Sequence, residues 1–340
     1  VDAVSKCGYQ GMRNDGAVEL RFWNWSMFCS PSGSRQSQDP GTAQVLTEMM
    51  NNRHAYLAQL PVRRGTTPLK LVPEYEDWLI EAMRHGTNDE FWAQNNIIDF
   101  PERYQDIPVY LVGGWYDSWA GNTTANFMAL TPQIKGPVYL IMGPWIHGQQ
   151  DQAAHGQVSF GPAAAIPDAW AWRLAWYDHW LKGIDNAVGT APPFATPVRI
   201  FVMGTGDGSR TADGKLNHGG YWRDEHEWPL ARTQYARFHL HPAGRLATDP
   251  PGNESAATSF VFDPRNPVPT IGGNISSGNE IMLQGAWDQR GGEHIWNWPV
   301  PLPLSARNDV LVFQSDPLTE DLEVTGEIAV ETPGPLRVER

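Results

Sequence analysis

Ile107-Pro-Val-Tyr-Leu-Val-Gly-Gly-Trp-Tyr-Asp-Ser-Trp119 and Pro137-Val-Tyr-Leu-Ile-Met-Gly-Pro-Trp-Ile-His-Gly148 share one pattern: an apolar run, largely β-branched, that ends in glycine and opens into an aromatic loop. Short runs of this kind, without polar alternation, read as strands buried on both faces. A helical segment with Ala125, Phe127, Met128 and Leu130 separates them. A longer helix from about Pro167 to Lys182 follows, with Trp170, Leu174, Tyr177 and Leu181 on one face and Gly183 as its stop. Strand, helix, strand, helix is the order of a parallel α/β sheet.

In such sheets functional groups collect on the loops at the carboxyl ends of strands, and consecutive βα units place their strands side by side. Asp117 and His147 would then meet at one sheet edge. Either residue alone is commonly structural, the aspartate as a turn or capping residue and the histidine as a satisfied core side chain. Together at equivalent strand ends they match an acid that orients an imidazole and stabilises its charged form. Asp before His, after an earlier Ser, is the chain order of α/β-hydrolases.

Outward from this centre the composition shifts. Residues 1–106 read as a helical, cap-like region. Asp39-Pro40 caps a helix carrying Val45, Leu46, Met49, Met50, Leu57 and Leu60. Tyr75, Trp78, Leu79, Ala82 and Met83 stripe a second helix, and Asn88 is placed to cap a third with Phe91 and Trp92. Residues 107–190 form the α/β part. A Pro-, Gly- and Ala-rich linker, Asn186–Pro197, leads to residues 196–340, where short β-type runs such as Val198–Met203, Tyr235–Leu240, Ser259–Phe262 and Val310–Gln314 predict a jelly-roll β-sandwich.

Composition narrows the function classes. A formal charge of −13 disfavours nucleic acid and anionic membrane as partners. No apolar run approaches the roughly 18 residues of a spanning helix. Two cysteines, Cys7 and Cys29, exclude a disulfide framework and a cysteine zinc site, and fit either one bridge or two thiols. His239 and His241 would share a strand face without a third ligand, so no metal is read, and Glu225-His226-Glu227 reads as a solvated turn. No phosphate loop or dinucleotide fingerprint occurs, and no cofactor is expected. A homo-oligomer is compatible with the sequence.

Pro108–Gly148 resembles the acid and histidine region of the CocE/NonD hydrolases, the group of cocaine esterase, the α-amino acid ester hydrolases and the Xaa-Pro dipeptidyl-peptidases. Tyr75-Glu-Asp-Trp-Leu and Asp89-Glu-Phe-Trp resemble the cap that precedes that region. Trp222-Arg-Asp-Glu-His-Glu-Trp-Pro-Leu230, Asp288-Gln-Arg290 and Pro317-Leu-Thr-Glu-Asp-Leu-Glu-Val-Thr-Gly326 resemble motifs of the C-terminal jelly roll. The resemblance covers about Gly8 to Ala329. It implies the later part of an α/β-hydrolase sheet with a helical cap and an incomplete jelly roll. Asp117 would be the triad acid and His147 the general base. Trp119 and Trp145 would either line the acyl or leaving-group pocket or pack the core.

The family's Gly-x-Ser-x-Gly elbow, which precedes the cap, has no counterpart here. Ser26, Ser30, Ser32 and Ser34 lie in the cap-like part, and Ser118 lies on the acid's own loop. The nucleophilic serine and the oxyanion donors are therefore expected on an N-terminal segment missing from this sequence. In the α-amino acid ester hydrolases, carboxylates just after the acid bind the substrate's ammonium. Here Ser118, Trp119 and Ala120 stand there, which points to neutral acyl esters or amides as substrates. Release of Xaa-Pro dipeptides is the alternative within enzymes. A non-catalytic β-sandwich that binds glycans or protein chains is the alternative outside them.

Overall fold

The computed structural model describes residues 7–14, 17–59, 61–94, 96–252, 260–276, 282–291 and 302–331. The cap-like region is built from α1 (Cys7–Met12), α2 (Leu20–Gly33), α3 (Pro40–Asn51), α4 (Arg53–Leu57), α5 (Pro73–Arg84) and α6 (Glu90–Ala93). Trp23 and Met27 of α2, Leu46 and Met49 of α3, Leu57 of α4, Leu79 of α5 and Trp92 of α6 close one apolar core. Asp39 starts α3 as read, its Oδ2 accepting from the Thr42 N–H at 2.8 Å. The cap of α6 is Asp89, which accepts from Phe91 N–H at 3.1 Å. Asn88, the residue expected there, instead accepts at Oδ1 from the Asn96 amide. Cys29 is a free thiol, and its partial burial raises its pKa. The Cys7 side chain lies outside the described set.

The central sheet comprises β1 (Val109–Gly114), β2 (Val138–Gly143), β3 (Val198–Met203) and β4 (Gly220–Glu225), in that spatial order. β1, β2 and β3 run parallel, and β4 closes antiparallel on β3. All six residues of β2 are buried, as expected for a strand covered on both faces. Alternation divides its side chains. Val138, Leu140 and Met142 face Phe127 and Leu130 of α7 (Ala120–Leu130). Tyr139 and Ile141 face Trp176 of α8 (Ala169–Lys182) and Phe194.

One sequence reading changes here. Val198–Met203, expected in the β-sandwich, pairs with β2, so the α/β sheet continues past residue 196. The reason is a long-range ladder, Leu140 opposite Val198 through Met142 opposite Ile200, that local composition does not reveal. The stripe read on one face of α8 is the outward one: Trp170 is 73% and Leu181 76% exposed, whereas Trp176 on the opposite side is 5% exposed. Gly183 ends α8 as read, in the left-handed conformation at φ 69°, and the structure adds a cap at its start, Asp168 Oδ1 accepting from Ala171 N–H.

Beyond β4 the described residues hold a two-residue ladder, His239–Leu240 with Leu246–Ala247, and isolated bridges such as Arg245 with Gln314. Glu225 is not a solvated turn residue. It is 7% exposed at the end of β4, paired with Arg232 and with Arg223, and Arg223 reaches Glu323 at 2.7 Å. This ion network ties the sheet to residue 323. His241 hydrogen-bonds the Asp249 carbonyl at 2.9 Å and lies beside Arg245. Among the described residues no three His, Cys, Asp or Glu side chains converge as metal ligands, and no helix is long and apolar enough to cross a membrane.

His155 is buried (2% exposed) where Gly285 packs against its backbone and Cβ. Burial, reinforced by the charge of Lys215, pushes its pKa down from 6.5 to about 4. The unfolded chain therefore binds this proton first as pH falls. The stability tied to neutral His155 is complete above pH 6.5 and drains away down to about pH 4, by roughly 3 kcal/mol in all. Urea titrations at stepped pH should show that slope in the wild type and a flatter one in His155→Gln; parallel slopes would refute the assignment.

Candidate active site

The site follows from the register of two strands. Gly114 lies opposite Gly143 at the last rung of the β1–β2 ladder, so both loops leave the sheet at one level. The loops are then bonded to each other: Trp115 N–H donates to Gly143 O at 2.8 Å, and Tyr116 N–H to Trp145 O at 3.0 Å. A turn closed by Asp117 N–H to Gly114 O, at 3.0 Å, presents the aspartate. Asp117 Oδ2 lies 2.9 Å from His147 Nδ1, and Asp117 Oδ1 accepts from Trp119 N–H at 3.1 Å. The carboxylate is mostly covered, at 15% exposure, and the imidazole half open at 45%.

An aspartate against Nδ1 selects the tautomer with its proton there, so Nε2 is the basic nitrogen. That is the geometry of an acid–base pair able to accept a proton from a nucleophile. Beside it a hollow of about 290 Å³ opens between the ends of the strands and the first turn of α8. Gly113, Gly114, Asp117, His147, Trp170 and Arg173 are among its walls.

The two tryptophans part company. Trp119 packs on the histidine, with ring centroids 5.0 Å apart and planes tilted by 47°. Trp145 also borders the hollow, but its side chain is 1% exposed, and its Nε1 donates to Ala164 O at 2.7 Å. Its indole packs with Trp222, and a Cβ on Gly143 would fall 2.4 Å from it. Trp145 thus positions the histidine loop by packing rather than presenting an aromatic face to a substrate.

Ser26, Ser30 and Ser118 have partners of their own. Ser26 and Ser30 donate to Phe22 O and Met27 O in their own helix. Ser118 Oγ lies 3.2 Å from Ser276 Oγ. Sequence reading missed Arg21, which is 3% exposed and places Cζ 4.4 Å over the Trp119 ring. A signal was present: Arg21 precedes Asn24 and Met27 by three and six residues, on the buried stripe of α2.

Residues 3–149 match the X-Pro dipeptidyl-peptidase (S15 family) model, and residues 192–332 match the X-Pro dipeptidyl-peptidase C-terminal non-catalytic domain. Cocaine esterase of Rhodococcus sp. (strain MB1 Bresler) is 31% identical over 306 residues, covering 86% of this chain and 46% of the esterase. A solved α-amino acid ester hydrolase aligns with a TM-score of 0.49 and 22% identity, over 76% of this chain and 40% of that one. The chain spans less than half the length of these relatives.

The loop contact is tight enough to test. A Cβ at Gly114 would lie 2.2 Å from Trp145 O, whereas one at Gly121, in the first turn of α7, meets nothing within 4 Å. Gly114→Ala should cost more than about 2 kcal/mol in urea unfolding, while Gly121→Ala should be neutral or stabilising by up to about 1 kcal/mol. Equal effects would show that the loops do not meet this closely.

Proposed function

The chain belongs to the CocE/NonD family of hydrolases, and from that premise we propose that it supplies the acid and the general base of a serine hydrolase acting on neutral acyl esters or amides. The observation that carries this reading is the 2.9 Å contact between Asp117 Oδ2 and His147 Nδ1 at the carboxyl ends of adjacent parallel strands.

The proposed cycle begins when serine Oγ attacks the acyl carbonyl and His147 Nε2 takes its proton. Collapse of the tetrahedral intermediate expels the alcohol or amine, which receives that proton from His147. Water, deprotonated by His147, then attacks the acyl-serine, and the second collapse returns the proton to serine Oγ. Asp117 stays ionised and holds the imidazole in the required tautomer throughout.

We assign the serine to polypeptide outside these 340 residues, since no elbow motif occurs among them. Two features support the place where that polypeptide docks. Along β1 the residues bonded to β2 alternate with Tyr110 and Val112, whose N–H and C=O groups point away from β2. The outward stripe of α8, Trp170, Leu174, Tyr177 and Leu181, offers apolar surface for a covering helix. A further parallel strand with its helix would satisfy both and bring its loop to the hollow.

Substrate charge is argued from the walls of that hollow. Among the described residues lining it, Asp117 is the sole carboxylate and is already engaged twice, and Arg173 is a cation. An ammonium would meet like charge and no available anion. That favours a neutral acyl group over the free amino terminus of an Xaa-Pro peptide.

Full-length enzyme treated with a fluorophosphonate and mapped by peptide should carry the label on a serine absent from this sequence. Phenyl ester hydrolysis should exceed Ala-Pro anilide hydrolysis, and Asp117→Asn or His147→Ala should each lower kcat about a thousand-fold or more. Unchanged hydrolysis in both variants would remove the assignment. Absence of labelling in folded protein, with tight glycan binding, would favour the non-catalytic reading.

A further inference from the structure

We propose that Arg21, a residue of the cap-like region, is a positioning residue for the Asp117–His147 pair, acting through the two residues that follow the acid. This inference rests on the serine-hydrolase reading above. Arg21 sits in the first turn of α2, far in sequence from the acid loop, yet its guanidinium touches that loop by two routes. Its Nη1 donates to Ser276 Oγ at 2.9 Å, and Ser276 Oγ lies 3.2 Å from Ser118 Oγ. Its Cζ lies 4.4 Å over the indole of Trp119. Ser118 and Trp119 are the next two residues after Asp117, and Trp119 N–H is itself bonded to Asp117 Oδ1.

The indole is held by its faces. Trp119 Nε1–H is buried with no hydrogen-bond partner among the described residues, and ring contacts with Arg21 and His147 fix its plane. A guanidinium over an indole in a water-poor site is a strong contact of this type. Gly11 of α1 closes the other approach: a Cβ there would fall 3.2 Å from Trp119 Nε1 and 3.4 Å from Arg21 Nη2. Glu19 Oε2, 3.5 Å from Arg21 Nε, balances the buried charge. The planar fork matters because one group must bond a hydroxyl and stack on a ring at once, which an ammonium cannot do.

Arg21 touches neither substrate nor the reacting atoms, so its removal should act on turnover through geometry. In the active full-length enzyme, Arg21→Met should lower kcat about ten- to a hundred-fold with KM within about twofold, as expected for slight misplacement of a catalytic group. Arg21→Lys should fall between, and Ser276→Ala should reproduce part of the loss. The structural readout is the imidazole of His147, followed by NMR in histidine-labelled protein. Its titration midpoint and Nδ1 proton resonance should move in Arg21→Met and recover in part in Arg21→Lys.

Wild-type kcat and an unshifted His147 titration, with a lowered Tm alone, would overturn the proposal. If Arg21→Met fails to fold, Arg21→Lys and Ser276→Ala decide it by the same two readouts. Asp117→Asn run alongside separates the two levels. Unchanged hydrolysis there sinks the assignment of the Asp117–His147 pair, whereas a collapse of hydrolysis with silent Arg21 and Ser276 variants sinks only this inference.

Discussion

The equal register of two parallel strands governs this molecule. With Gly114 level with Gly143, the polypeptide leaving β1 and that leaving β2 must pass through the same small volume. A side chain at either position would occupy space already filled by the backbone or ring of Trp145. Glycine at both ends lets the loops approach to hydrogen-bonding distance, and the bonds from Trp115 and Tyr116 then lock them. Asp117 and His147, thirty positions apart, meet because each follows its own strand end by three or four residues. Their contact is a consequence of backbone pairing rather than of two flexible side chains finding each other.

Much of this was readable because it is local. Apolar runs bounded by glycine announce buried strands, and Asp39 and Gly183 act at helix ends through local backbone geometry. What was not readable depends on distant partners. Helix α8 is apolar on more than one side, with Trp172 and Trp176 opposing Trp170 and Leu181. Periodicity alone cannot choose which side meets the sheet. Val198–Met203 looks like a strand of either half until its pairing with β2 is seen. Glu225 sits between polar neighbours, and only Arg232 and Arg223, itself bonded to Glu323, make it a buried charge. Trp145 resembles a pocket residue by its closeness to His147, but Gly143 draws its ring inward.

Arg21 belongs to the same class of long-range facts. A guanidinium at 3% exposure carries a large desolvation cost unless its donors and its charge are matched. Ser276, Glu19 and the ring of Trp119 meet the guanidinium from three separate parts of the chain. The cap-like helices, whose own core of Trp23, Met27 and Leu46 would close without this contact, are thereby coupled to the acid loop. A buried charge with partners in several elements tolerates few alternative arrangements, which favours one defined placement of the cap against the site.

Two kinds of surface meet at the hollow, and their difference bears on how a complete enzyme would be assembled. The acid–base pair is held by bonds internal to this chain: the β1–β2 ladder, the turn at Asp117 and the contact with Trp119. Among the described residues, the outward edge of β1 and the outward stripe of α8 are instead left uncovered, one a row of backbone polar groups and one of apolar side chains. A strand and helix that cover both would gain hydrogen bonds and apolar burial together, so their placement is constrained in height by the ladder and in tilt by the stripe. A serine at the end of such a strand would arrive level with Gly114, where the hollow and the imidazole already stand. On the proposed reading, this chain's own bonds hold the imidazole in place, and one more rung of the same register would set its distance from the serine.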